Sequence, residues 1–296
     1  MPRIIGGFVG LFLGVVWYGV VASVLGITAF PVISAIVASF GLTVDAWIVV
    51  AVFTVVITTV FAYAVATIAL LPALAPPPAA AALPANPVEG FMSGYISGFS
   101  AVVNFALWAF TPLGALGLTI GFLVALVGFL SVLAALSRNP IFQGVLGWSN
   151  WIRPYSYLAT AFGILLFLVN FPFAVAAFGL AAVRLDLLTG TIETTGGLVG
   201  LTGFAGGGFN LGNYTFLSPG PIGLAFQSPF GLPGVSAHET GHTLTVASFG
   251  GVFHWIDAID ENIIHSKATS FLAYGEMIPE SHIPRPLPRR NVRIWS

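Results

Sequence analysis

Between residues 4 and 183 the chain carries only four charged side chains, Asp45, Glu89, Arg138 and Arg153, and each stands at a break in an apolar pattern. That run decides which solvent the fold must meet. A soluble domain draws about 25% of its residues from Asp, Glu, Lys and Arg. This 296-residue chain is 6% charged and 57% hydrophobic, with a mean hydropathy of +0.98. Too few polar groups are present to cover a surface in water, and lipid suits what remains. The expectation is an α-helical polytopic membrane protein of about five transmembrane helices, followed by a small C-terminal α+β domain. Its first partner is the lipid bilayer. A net charge of −1 leaves no basic face for nucleic acid. Cysteine is absent, so a metal would have to be held by His and carboxylate.

A crossing needs about 20 apolar residues. On that measure spans are expected at residues 4–28, 45–71, 90–110, from the turn at Thr111, Pro112 and Gly114 to about 136, and at 155–183 with a kink at Pro172. The first reads as a retained span and not a cleaved signal. The apolar stretch 32–40 is too short to cross, and lies at the interface or re-enters. Residues 72–89, rich in Pro and Ala, read as an extended linker. Gly94 and Gly98 have the small-xxx-small spacing that lets helices approach closely. The loop 137–154 carries Trp148 and Trp151, an expected headgroup-level anchor. Asn104 and Asn170 must find partners inside the bundle. With five spans, Arg3, Arg138 and Arg153 share the cytoplasmic side and the C-terminal region lies outside; a sixth crossing at 32–40 reverses this. The absence of ionisable groups in mid-span weighs against an ion-coupled transporter.

After residue 183 the chain changes character. Residues 184–296 form the expected C-terminal domain on the membrane surface, with strands near 189–195 and 209–216 bounded by glycine clusters. The most informative segment follows: His238-Glu239-Thr240-Gly241-His242, an HExxH motif. Residues four apart stack on one helix face, so His238 and His242 can both reach one Zn²⁺. Glu239 then lies close enough to act as general base on a water whose pKa the metal lowers to about 7. Ser236 is a candidate N-cap and Gly250-Gly251 a candidate stop for that helix. A catalytic zinc takes three protein ligands and keeps one position open. Downstream candidates for the third are His254, Asp257, Asp260, Glu261, His265, Glu276 and Glu280.

The spacing from His242 to Glu261 resembles that of the gluzincin metallopeptidases, in which a Glu on the next helix is the third ligand. The resemblance, over residues 238–262, implies a zincin-like C-terminal domain with Glu261 as ligand, ahead of His265 and Glu276. Residues 238–250, HETGHTLTVASFG, are similar to the first motif of the site-2 proteases, although no later LDG-type motif is present. Asn210-Leu211-Gly212-Asn213 together with residues 238–244 resembles bacterial proteins in which a TLGN strand precedes an HExGHTLQS helix, which implies a bacterial cell membrane. In zincins an edge strand beside the motif helix binds substrate backbone. Residues 209–216 fill that part, or form an ordinary hairpin turning at Gly212-Asn213. The function expected is a membrane-anchored zinc metalloprotease with Glu239 catalytic, His238, His242 and Glu261 on Zn, and a peptide or protein substrate. The alternative is a non-enzymatic subunit of a larger membrane complex, held among other membrane subunits, with a structural or vestigial metal site.

Overall fold

The computed structural model describes residues 1–28, 30–39, 56–57, 60–61, 87–137, 139–199, 208–218, 235–259 and 292–293. The chain divides into two compact units, Met1–Phe129 and Leu130–Ser296.

In the first unit, helix α1 (Pro2–Thr28) is followed by α2 (Phe30–Ser39), α3 (Pro87–Ala109) and α4 (Ala115–Leu130). Helices α1 and α3 pack backbone to backbone. Gly6 and Gly10 lie against the carbonyls of Phe91 and Tyr95, while Gly94 and Gly98 lie against those of Arg3 and Gly7. Four-residue spacing puts each glycine set on one stripe, and removal of Cβ along both stripes permits the approach. The small-xxx-small reading of Gly94 and Gly98 therefore holds, with α1 as the partner. Asn104 bonds within its own helix, donating to Ser100 O at 3.0 Å.

The second unit begins with a short helix, α5 (Ala134–Ser137), and then α6 (Pro140–Ser149), where sequence reasoning expects a loop. Asn139 caps α6, its side chain accepting from the amides of Ile141 and Phe142, and Pro140 takes the first turn. Asn-Pro is a helix-start signal, because proline forfeits an amide that has no intrahelical partner there anyway. The two tryptophans expected at the headgroups have a part in the fold. Trp148 donates to Leu187 O at 3.0 Å and Trp151 to Gly190 O at 2.9 Å, tying down the turn between the first two strands. Arg153 is fully buried, its Nε donating to Ser149 Oγ. Burial lowers its guanidinium to about 9, so it stays cationic at neutral pH inside the unit.

Helix α7 (Tyr157–Phe178), flanked by single 3-10 turns, contains Pro172 and leads into the sheet. The strands are β1 (Val183–Asp186), β2 (Thr191–Thr195), β3 (Gly208–Leu211), β4 (Tyr214–Leu217) and β5 (Val292–Arg293), in the order β3-β4-β2-β1-β5. The β2–β4 pair is parallel and the others antiparallel. Strands β3 and β4 form a hairpin turning at Gly212-Asn213, as one of the two sequence readings has it, and β3 is also the edge strand. Gly212 has φ +70, which suits a two-residue hairpin turn with glycine first. Leu211, Tyr214, Phe216 and Val199 form the core, packed by Trp151, Phe167 and Ile192. Gly163 of α7 is set against Leu211 and Tyr214. Asn170, on the same helix, donates to Gly196 O and accepts from Val199 N, both at 3.0 Å, pinning the loop after β2. Its partner is a loop, not another helix of a bundle.

The five-span expectation is overturned. Among the described residues one helical segment, Pro154–Ala182, is long and apolar enough to cross a membrane, with hydropathy 2.3 over its best window. The other apolar helices are shorter, Pro2–Val16 within α1 and Ala115–Leu130. The expected fourth span ends at Leu130, where a turn separates it from α5. The serines, glycines and Asn104 of α3 dilute its hydropathy. Most of the expected span at 45–71 and of the Pro/Ala linker lies outside the described residues.

Candidate functional site

The HExxH segment lies on helix α8 (Val235–Phe249), which ends at Gly250 (φ +94) before α9 (Gly251–Ile259). Expectation and structure agree on the helix and on its glycine stop. Ser236, however, stands inside the first turn, and its hydroxyl donates to Glu193 Oε1 on β2 at 2.6 Å. The motif helix is thus tied to a buried carboxylate of a central strand and not capped by Ser236.

Strand β3 runs beside α8 in matched steps. Glu239 Oε1 lies 3.1 Å from where a Cβ would stand on Gly208, and Thr243 Oγ1 accepts from Asn210 Nδ2 at 2.9 Å. Four helical residues rise about 6 Å and two strand residues about 6.8 Å, so both contacts form without strain. Thr243 also accepts from Thr191 Oγ1 of β2 at 3.4 Å, and Asn210 Nδ2 reaches Thr215 Oγ1 at 3.0 Å. A buried polar seam therefore fixes the motif helix against three strands. Glu239 is only 3% exposed.

Helix α9 brings in a residue that spacing arguments rank low. His254, buried, sits with its Nε2 2.8 Å from the backbone oxygen of Asn210. A carbonyl can only accept, so Nε2 donates and, in the neutral ring, Nδ1 carries the lone pair. In a two-residue hairpin the closing pair Leu211–Tyr214 is hydrogen bonded, so at Asn210 the backbone N–H and C=O point away from β4, toward the edge. His254 occupies that edge position. Its ring meets the ring of His242 edge to face, with centroids 5.8 Å apart.

No protein-family model, curated protein or solved structure matches the chain. The chemistry of the site rests on its own geometry. His238 is one helical turn before His242 on α8, and its side chain is outside the described residues, as are the side chain of Asp257 and the whole of Asp260, Glu261, His265, Glu276 and Glu280. Among the described residues no group of three His, Asp or Glu side chains gathers in a metal-holding arrangement. The structure does bring together Glu239, His242 and His254 around the Gly208–Asn210 edge. Sequence reasoning missed Glu193, Gly208 and Thr191. The signal for Glu193 was available: a lone acidic residue amid Thr and Ile of a strand otherwise fit for burial.

Proposed function

We propose that the chain is a membrane-anchored zinc-dependent metallopeptidase that hydrolyses peptide bonds at the membrane surface. The observation that carries this reading is the placement of Glu239: a buried carboxylate on the same helix as His242, three residues away, with its Oε1 against the backbone of an edge strand. The residue types of the motif suit zinc. Helical spacing puts His238 and His242 on one face, and imidazole is a ligand type that zinc accepts at about 2.0–2.1 Å. When bound there, zinc supplies Lewis acidity and acidifies water toward neutral pH.

The protein's own groups do the rest. Glu239 takes a proton from the attacking water as its oxygen adds to the scissile carbonyl carbon. It then returns that proton to the departing amine as the C–N bond breaks, leaving one carboxylic acid and one amine. The seam of Thr243, Asn210 and Thr191 holds the helix so that Glu239 and His242 keep their separation. Asn210's outward carbonyl is occupied by His254, so strand addition by substrate along β3 is confined to the Gly208 end. Anchoring falls to α7, whose Phe162, Leu165, Leu168, Val169 and Phe173 are exposed and apolar.

The test is Glu239→Gln in the full-length protein. Peptide hydrolysis is expected to fall by about 10²–10⁴-fold, the usual contribution of a general base, with zinc content kept. Hydrolysis that survives the substitution sinks the assignment. The exposed face of α7 also favours the second reading, a non-enzymatic subunit whose apolar face is covered by partner proteins. Purification with stoichiometric partners and without zinc supports that one.

A further inference from the structure

We propose that His254, and not Glu261, is the third protein ligand of the zinc site, set in place by the backbone carbonyl of Asn210. The inference rests on the zinc reading of the motif helix and deepens it.

Three observations converge. His254 is buried on the helix that directly follows the motif helix, with a glycine turn between them. Its ring centre is 5.8 Å from that of His242. Two imidazoles sharing one tetrahedral zinc at 2.0–2.1 Å place their ring centres about 5 Å apart, so the observed separation is close to what shared ligation needs. The third observation is the hydrogen bond from Nε2 to Asn210 O at 2.8 Å. Metal-binding histidines commonly donate their other ring N–H to a carbonyl or carboxylate, which selects the tautomer and orients the ring. Here the donor is Nε2, so ligation falls to Nδ1. The outward-facing carbonyl of an edge strand is a rigid acceptor, fixed by the hairpin register, and the same residue's side chain holds Thr243 of the motif helix. One residue, Asn210, thereby contacts both helices that carry His242 and His254, through its side chain to Thr243 and its carbonyl to His254.

The test is zinc coordination by the purified full-length protein, read by X-ray absorption at the zinc edge and by competitive zinc titration. Wild type is expected to bind one zinc with three imidazoles. His254→Gln keeps an amide donor for the Asn210 carbonyl but cannot supply the imidazole. It should lower zinc affinity by more than about 100-fold, beyond the 10–100-fold that an outer-shell partner costs. Glu261→Gln should change affinity by less than about 10-fold, below that same outer-shell range. Wild-type zinc with two imidazoles and a carboxylate overturns the assignment, and does so even if the His254 variant fails to fold. So does a His254→Gln loss within the outer-shell range, or a larger loss in Glu261→Gln. A wild-type protein that takes up no zinc overturns the metallopeptidase reading itself, which separates the two failures.

Discussion

Replacing Gly94 with alanine sets two effects of opposite sign against each other. Alanine is the better helix former by about 0.8–1.0 kcal/mol. Against that, a Cβ at Gly94 would overlap the Arg3 carbonyl of α1 and stand 2.8 Å from the Gly7 amide nitrogen, well inside the 3.4 Å of ordinary contact. The obstacles are backbone atoms, so no side-chain rotation relieves them, and α1 and α3 must part by roughly 1 Å or more to restore normal separation. Overpacking costs about 1–3 kcal/mol, and a backbone obstacle belongs at the upper end. The expected net loss is about 1–2 kcal/mol after subtracting the propensity gain. Gly19, on α1, is the internal control, because a Cβ there meets nothing within 4 Å among the described residues. Gly19→Ala should therefore show the propensity gain alone, up to about 1 kcal/mol.

The assay is denaturant unfolding of the full-length protein in detergent, with midpoints converted through a common m-value. The pair Gly94→Ala and Gly98→Ala adds a second check. One separation of the helices relieves both clashes, so the double variant should lose less than the sum of the singles. A Gly94→Ala protein as stable as wild type refutes the backbone-contact reasoning. Equal losses at Gly94 and Gly19 refute it too, since propensity and solvent effects would then explain everything.

Asn170→Leu should cost about 2–4 kcal/mol, since it orphans the Gly196 carbonyl and the Val199 amide together; unchanged thermal stability would show that the loop after β2 is held by other contacts. Ser236→Ala removes the 2.6 Å hydrogen bond to the Glu193 carboxylate and should destabilise by about 1.5–3 kcal/mol, the range for bonds to charged groups, again measured by unfolding midpoint. Gly208→Ala places a methyl 3.1 Å from Glu239 Oε1 and 2.8 Å from Phe216 O, so peptide hydrolysis should fall while zinc content is kept; equal loss of both would point to a general collapse of the hairpin.

Local patterns were legible in the chain and long-range ones were not. The motif helix can be read because the i, i+4 spacing of His238 and His242 and the Gly250 stop are both local features. The hairpin is legible for the same reason, since Gly212-Asn213 between apolar runs is a short-range turn signal. Helix α6 is legible in Asn139-Pro140, but Trp148 within it and Trp151 just after it equally suit an anchor at the membrane interface. Composition misled over the number of crossings. Low charge states which solvent a chain tolerates, while a crossing also needs an unbroken apolar length, and among the described residues only Pro154–Ala182 supplies it. The partners of the motif were out of reach because they come from strands 33 and 52 residues away: Asn210 to Thr243 and Thr191 to Thr243.

Those distant partners make the hairpin register the quantity that governs the site. Side chains alternate along a strand, so a slip of one residue would turn the Asn210 side chain away from Thr243 and reverse its backbone carbonyl from the edge toward β4. The contacts that Asn210 makes with α8 and α9 would then be lost together. The register is held by the turn, and the turn by Gly212, whose φ of +70 an ordinary side chain rarely adopts and whose missing Cβ leaves room for Thr160 of α7. Besides its direct contacts with α9, among them the Trp255 indole on the Leu158 carbonyl and the Phe162 ring, the apolar helix that can enter a membrane thus reaches the histidine-bearing helices through this turn as well. A change at Gly212 should disturb zinc binding without touching any ligand, and it should do so through the position of Asn210.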